Sequence, residues 1–153
     1  MKIRLANPGD IDALCLLYQQ FYDYNAEQQP AYYCSIGESG RYPENVIAKS
    51  DGDIFVAEAE DAIIGFLHVE EETTPPFPPV VPHTFACIVD LYVEPEHRKK
   101  GAGKALLEHA KTWAKDRGLE YLELFVLEEN TIGRNFYERE HFMPASRTLR
   151  CSL

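Results

Sequence analysis

The residues best suited to chemistry form a short basic turn between a predicted strand and a predicted helix. The turn has the sequence Arg98-Lys99-Lys100-Gly101-Ala102-Gly103-Lys104. Glycine lets the backbone approach a ligand closely, and the first amides of a helix have no acceptor within the helix. Because these amides and the positive end of the helix dipole act at one point, they favour an anion. The sequence therefore predicts a phosphate-binding turn built from the backbone amides of residues 98–104.

Two common phosphate-binding motifs do not fit this turn. A P-loop needs glycine five residues before Gly103 and Ser or Thr after Lys104, whereas the chain has Arg98 and Ala105 there. A dinucleotide-binding fingerprint needs Gly or Ala three residues after Gly103, whereas the chain has Leu106. The missing P-loop residues argue against a nucleotide-binding switch.

The distribution of charge fits a site for a small anion. The chain of 153 residues has a net charge of −10. Residues 94–117 contain seven basic and four acidic residues, a net charge of +3, which leaves −13 for the rest. One basic segment in an acidic protein suits a small polyanion, whereas a nucleic-acid-binding protein is usually basic as a whole. A solvated helix face with ordinary lysines is the alternative that charge alone leaves open.

The pattern Arg-x-x-Gly-x-Gly spans residues 98–103 and follows a Val-x-Pro strand end. It resembles the acetyl-CoA motif of the GNAT superfamily of N-acetyltransferases. A downstream segment resembles the family's Asn…Phe-Tyr-Glu…Gly-Phe pattern, here Asn130, Asn135-Phe136-Tyr137-Glu138 and His141-Phe142. One departure is His141, where the family commonly has glycine. This difference concerns the end of a helix and leaves the cofactor motif intact.

The resemblance implies how acetyl-CoA, the expected co-substrate, is held. The amides of residues 98–104 would hold the CoA pyrophosphate, and the backbone of Leu91-Tyr92-Val93 would pair with the pantetheine arm. The strands that end near Val93 and Val126 would splay, and the pantetheine would enter the gap between them. Asn130 would contact the cofactor, and Tyr137 would stand near the thioester sulfur as cofactor-binding residue and general acid.

The reaction needs few further groups. The attacking amine must be neutral, so a base has to take its proton, directly or through water. Asp90, on the strand beside the expected acetyl position, is the first candidate base, and Glu94 is the second. A strand amide such as that of Val93 is expected to hold the developing oxyanion. No metal is required, and the four cysteines lack the spacing of zinc ligands.

Each candidate also has a purely structural interpretation. Asp90 is alternatively a hydrogen-bonded structural carboxylate, and Tyr137 is alternatively a packed aromatic residue on a helix. The tyrosines of the first helix and the segment after it either line an acceptor pocket or belong to the core and surface. The run Glu70-Glu71-Glu72 either meets a cationic substrate or forms a solvated strand end.

The acidic balance favours a small-molecule amine acceptor that is cationic, such as a polyamine, an aminoglycoside or an amino-acid derivative. A protein N-terminus or lysine stays open as the acceptor, and a CoA-sensing domain without turnover stays open as the function. A homodimer is expected at the level of the family only. The sequence contains no apolar run of bilayer-spanning length and no signal-like stretch after Met1. We therefore expect a cytoplasmic protein with neither a membrane nor a nucleic-acid partner.

An α/β fold must position these residues. Apolar alternation predicts strands at 2–6, 53–58, 62–70, 84–93, 121–127 and 146–151, and spacings of three and four predict helices at 8–24, 43–50, 101–117 and 131–140. Five prolines exclude residues 70–83 from a sheet interior. The order favours a single domain over residues 1–153, with a mixed, mostly antiparallel central sheet flanked by helices. Antiparallel pairs come first, and a strand–helix–strand crossover follows.

Overall fold

The computed structural model describes residues 1–35 and 42–153. Strands and helices follow one another in this order: β1 (Lys2–Leu5), α1 (Ile11–Gln28), α2 (Tyr42–Ile47), β2 (Gly52–Ala59), β3 (Ala62–Thr73), β4 (Thr84–Val93), α3 (Ala102–Asp116), β5 (Leu122–Leu124) and α4 (Thr131–Arg139). Single turns of 3₁₀ helix precede α1 and α3, at Pro8–Asp10 and Pro95–His97. In the described residues, no helix is long and apolar enough to cross a bilayer.

The strands form one sheet in the order β1-β2-β3-β4-β5. The first three neighbouring pairs are antiparallel, and β4 pairs with β5 in parallel. Helix α3 makes the crossover between the two parallel strands. The predicted mixed, mostly antiparallel sheet is confirmed.

The two faces of the sheet carry separate hydrophobic clusters. On one face, the apolar stripe of α3 packs on the central strands, with Leu106, Ala110 and Trp113 buried. On the other face, α1 and α2 cover a cluster that includes Leu14, Tyr18 and several strand residues. Since side chains alternate along a strand, β4 contributes to both clusters.

A β-bulge in β4 lies where the pairing between β4 and β5 ends. His68 lies opposite Asp90 and Val69 lies opposite Ile88, so Val89 is the extra residue on β4. Strand β5 pairs with β4 only at Ala86, Cys87 and Ile88. Within the described residues, β4 therefore has no strand partner on its β5 side from Val89 to Val93. The family resemblance implied a splay between strands that end near Val93 and Val126; β5 ends earlier, at Leu124.

Several predicted element boundaries differ from the structure. Helix α1 continues four residues beyond the predicted Tyr24. Residues 70–73 are not loop, because Glu70–Thr73 extend β3 and pair with β4; the proline segment from residue 74 to 83 is the loop. Strand β5 has three residues rather than seven, because its pairing with β4 stops near the bulge. Parts of the predicted connection at 25–40 lie outside the described residues.

The predicted last strand at residues 146–151 is wrong. Residues 144–153 are exposed and contain no strand. The segment carries Arg147 and Arg150 among few apolar residues, so pairing with the sheet would bury little apolar surface.

His141 lies just beyond the end of α4 in the left-handed region, with φ 70°. The amide of Phe142 donates to the Tyr137 carbonyl at 3.0 Å, which closes the helix end. Glycine adopts this conformation without a steric penalty, whereas histidine carries a Cβ. The departure at position 141 therefore leaves the helix end in its usual shape at a cost in backbone strain.

Candidate active site

The turn before α3 presents a row of unpaired amides. Within the described residues, the amides of residues 99–104 have no recorded acceptor, and the first bond of the helix runs from the Ala105 amide to the Gly101 carbonyl. Lys99 and Gly101 have positive φ angles of 61° and 91°. Alternation of left- and right-handed residues turns successive amides toward one point, as in anion-binding nests. The Arg98 amide is not part of this row, because it donates to Pro95 at 3.3 Å.

The surroundings of these amides suit an anion. No acidic residue lies in the first turn of α3. Lys99, Lys100 and Lys104 are exposed around the turn, and Lys104 lies 3.8 Å from Glu140. A Cβ atom at Gly103 would lie 3.5 Å from the Phe136 ring, an ordinary van der Waals distance, so the side chain of Phe136 on α4 lies over the start of α3.

The side chain of Arg98 points away from this turn. Its Nε donates to the Val93 carbonyl at 2.8 Å. The guanidinium lies over the rings of Tyr24 and Tyr92, 5.1 and 5.5 Å from their centroids. Arg98 therefore ties the end of β4 to α1, and the backbone of the turn is left to face an anion.

The predicted pantetheine-binding residues of β4 differ in the direction of their backbone groups. The Glu94 amide donates to Ile64 on β3 at 3.0 Å. Because backbone groups of successive residues point to opposite sides of a strand, Tyr92 also pairs with β3, whereas Leu91 and Val93 face the gap beside β5. The amide of Val93 thus remains directed into the gap, while its carbonyl holds Arg98.

The charge of Asp90 acts on Tyr137. Asp90 has only 13% of its side chain exposed. Burial raises the pKa of Tyr137 well above its usual range, and the negative charge of Asp90 raises it further. The same two causes raise the pKa of Tyr18, Tyr22 and Tyr42, to about 12 for Tyr42. The charge of one carboxylate therefore acts on tyrosines from α1, α2 and α4.

Helix α4 holds Tyr137 in place. Its ring packs against Phe136 and Phe142, with centroids 5.2 and 5.6 Å apart. The helix begins at Asn130, whose Oδ1 accepts from the Gly133 amide at 2.9 Å and from the Tyr24 hydroxyl at 3.1 Å. Asn130 thus caps α4 and joins it to α1, and its amide nitrogen is the part left for the predicted contact with the cofactor.

Two buried polar groups beside Asp90 were not singled out from the sequence as site residues. Tyr18 was one of several tyrosines with two interpretations. It is fully buried, and its hydroxyl lies near Asp90 but makes no hydrogen bond within 3.5 Å among the described residues. His68 is also fully buried, and its Nδ1 lies 3.8 Å from Asp90 Oδ2. His68 stands in an apolar strand run, and only the register that places it opposite Asp90 reveals the pair.

The other acidic candidates lie elsewhere. Glu94 is four residues beyond Asp90 on the chain, about 13 Å along an extended strand. Its carboxylate lies 4.0 Å from His97 Nε2. Glu71 and Glu72 are exposed, whereas Glu70 turns inward to His68. Of the two candidate bases, Asp90 is the one whose charge acts on Tyr137.

Comparison with known sequences agrees with these features. A family model described as the acetyltransferase (GNAT) family matches residues 12–142. The uncharacterized N-acetyltransferase YhfO of Bacillus subtilis (strain 168) is 28% identical over 142 residues, 93% of this chain and 89% of that protein. The spermidine N(1)-acetyltransferase of Thermoplasma acidophilum is 30% identical over 101 residues, 65% of this chain and 56% of that protein.

Comparison with solved structures supports the fold. The aminoglycoside N-acetyltransferase AAC(6')-Iy, solved in complex with CoA, superposes with a TM-score of 0.76. The superposition covers 99% of this chain and 98% of that chain, at 18% sequence identity. The likeness therefore concerns the architecture of sheet and helices.

Proposed function

Since the chain belongs to the acetyltransferase (GNAT) family, we propose that it transfers the acetyl group of acetyl-CoA directly to a small cationic amine. The observation that carries this proposal is the row of free amides at residues 99–104, which follows the unpaired side of β4; Asp90 and Tyr137 supply the further groups. A carboxylate and a protonated tyrosine are the base and the acid that acetyl transfer to an amine requires.

The residues present fit a CoA thioester. The unpaired amides of residues 99–104 offer donors to a pyrophosphate, in a turn surrounded by lysines. Leu91 and Val93 offer backbone groups on the open side of β4 to the amides of a pantetheine arm. Acetyl-CoA bound in this way supplies the activated acetyl group, and the chain supplies the rest of the chemistry.

Three groups of this chain act on the reacting atoms. Asp90 takes a proton from the ammonium group of the acceptor, so that the nitrogen can attack. The Val93 amide donates to the oxygen on which negative charge develops. Tyr137 donates its proton to the departing sulfur, and burial keeps this hydroxyl protonated until that moment.

The surroundings of Asp90 favour a cationic acceptor. The chain outside residues 94–117 carries a net charge of −13. Tyrosine rings attract cations, and those of Tyr18, Tyr22 and Tyr42 pack side by side near Asp90. An aminoglycoside and spermidine, the acceptors named for two similar proteins, are both polycations.

The test is release of free thiol from acetyl-CoA with amines matched in size. We would compare 1,4-diaminobutane, 4-amino-1-butanol and 4-aminobutyrate, and add spermidine, kanamycin and a peptide with a free N-terminus. Opposite charges attract over about 30 Å at 0.01 M salt and about 8 Å at 0.15 M salt. We expect the diamine to exceed the amino acid in kcat/KM by about tenfold, with the excess reduced at the higher salt concentration.

The outcomes separate the alternatives. A preference for 4-aminobutyrate, or no salt effect with the best cation, would contradict a cationic acceptor. Transfer to the peptide alone would indicate a protein N-acetyltransferase. Binding of acetyl-CoA without transfer to any of these amines would contradict the proposed function and favour a CoA-sensing domain.

A further inference from the structure

His68 lies at the centre of a row of polar side chains that crosses from the site to the surface. Its Nδ1 is 3.8 Å from Asp90 Oδ2 and 3.4 Å from the Tyr42 hydroxyl. Its Nε2 is 3.2 Å from Glu70 Oε1, and the same oxygen lies 3.2 Å from Lys49 Nζ. A histidine that only fills the core would need one such partner, whereas this ring has a carboxylate on each side.

Burial increases steadily from the outer end of this row to the ring. Lys49 has 51% of its side chain exposed, Glu70 has 19% and His68 has 0%. The row thus connects the interior to water through Glu70, the group at the border. In contrast, Glu71 and Glu72 on the same strand are exposed and have no recorded side-chain contact among the described residues.

The neighbours of the ring define its tautomer. Glu70 is a carboxylate and can only accept, so Nε2 carries the proton that it accepts. Nδ1 then has a free lone pair, to which the Tyr42 hydroxyl donates. With this arrangement of partners, the ring can take a proton at Nδ1 and release another from Nε2.

The proposed reaction produces a proton that must leave Asp90, a carboxylate with 13% of its side chain exposed. A cationic amine and acetyl-CoA give an amide, free CoA thiol and one proton. The attacking nitrogen loses two protons in total. One replaces the proton that Tyr137 gives to the sulfur, and the other stays on Asp90 until it is passed on. The exposed part of Asp90 is the part that an acceptor held at this carboxylate would cover, so the proton needs another route outward.

We propose that Asp90, His68 and Glu70 form this route, with His68 as a positioning and proton-transfer residue. The Asp90 carboxyl gives its proton to Nδ1, the proton on Nε2 moves to Glu70, and Glu70 releases it to water. Rotation of the ring and exchange of its proton then restore the tautomer with the proton on Nε2 before the next turnover. The gap between Asp90 and Nδ1 must shorten by about 0.6 Å to reach hydrogen-bond distance. This inference rests on the proposed function, because it needs an acceptor that arrives as a cation.

The experiment compares Glu70→Gln with Glu71→Gln. Both variants remove one negative charge from adjacent positions of β3, but only Glu70 touches His68. We would measure kcat at saturating acetyl-CoA with whichever amine of the panel above the wild type uses best, at rising buffer concentration and at constant pH and ionic strength. We expect Glu70→Gln to lower kcat by about tenfold and to regain activity as buffer is added, since buffer replaces the lost proton acceptor. Glu71→Gln is expected to match the wild type.

A second variant tests the role of the His68 ring directly. His68→Gln preserves polarity but cannot relay a proton, and it is expected to show the same buffer dependence with an unchanged KM for acetyl-CoA. Equal kcat values for Glu70→Gln and Glu71→Gln, or a loss that buffer does not restore, would overturn the proton route. That result would leave the proposed function standing if the wild type transfers acetyl groups, whereas an inactive wild type would overturn the proposed function.

Discussion

A single substitution tests the proposed role of Tyr137 as the general acid. Burial and the charge of Asp90 both favour its protonated form. Replacing Tyr137 by Phe removes the hydroxyl and keeps the ring that packs on Phe136 and Phe142. We expect kcat to fall by about 10²-fold, in the range for loss of a general acid, with acetyl-CoA affinity unchanged. Tyr121→Phe is the control, because it removes the same hydroxyl group from a different tyrosine. Tyr121 stacks on Phe85 just before β5 begins.

The pH dependence of Tyr137 follows from the direction of its shift. Its pKa is raised above the usual value near 10, so the proton is present throughout the neutral range and is lost only at higher pH. Tyr137 therefore contributes no alkaline loss of kcat below about pH 10. A loss in that range that occurs in the wild type and disappears in Tyr137→Phe would contradict this assignment, as would an unchanged kcat in the variant when chemistry limits the rate.

Individual residues were predictable from the sequence to different degrees. Asp90 and Tyr137 lie in recognisable segments, one on a strand before the basic turn and one in a Phe-Tyr-Glu run. His68 and Tyr18 carry no such signal, because their importance comes from the partners that folding brings to them. A β-bulge at Val89 sets which side chain lies opposite His68, and single-sequence patterns do not reveal bulges.

At the level of elements, His141 offers a test of backbone strain. A residue other than glycine in the left-handed region costs about 1–2 kcal/mol. We expect His141→Gly to raise the free energy of unfolding by about 1 kcal/mol and Tm by about 2–4 °C. Denaturant and thermal unfolding measure this change.

The control is a substitution in the opposite direction, at a glycine elsewhere in the chain with a similar φ angle. Gly118, at the end of α3, has φ 69° and no neighbouring atom within 4 Å of a built Cβ. Gly118→Ala is expected to destabilise the protein by about 1 kcal/mol for the same steric reason. A His141→Gly variant less stable than the wild type would show that the histidine side chain contributes more than its backbone strain costs.

Elements with strong local signals were predicted well. The apolar run of β4 and the stripe of α3 agree with the structure to within one residue. Strand β5 and the predicted last strand were less reliable, because a strand at the edge of a sheet exists only where a partner meets it. The sequence of residues 146–151 alternates weakly, and nothing in it reports that no partner strand is present.

At the scale of the whole molecule, basic and acidic residues are unevenly distributed along the chain. Lys99, Lys100 and Lys104 lie exposed around the free amides, whereas the chain outside residues 94–117 carries a net charge of −13. If the acceptor is cationic as proposed, we expect it and the anionic co-substrate to be drawn to different parts of the surface. A homodimer stays a prediction, which sedimentation at several protein concentrations would test.

The most direct test of the account is calorimetric binding of acetyl-CoA to two charge-reversal variants. Lys100→Glu and Lys115→Glu change the net charge equally, but Lys100 adjoins the free amides and Lys115 lies in the last turn of α3, about 22 Å away along the helix. We expect Lys100→Glu to weaken binding by at least about tenfold, or about 1.4 kcal/mol, and Lys115→Glu to leave the affinity close to that of the wild type. Equal affinities for the two variants, with both folded by circular dichroism, would contradict the assignment of residues 99–104 as the site that holds acetyl-CoA.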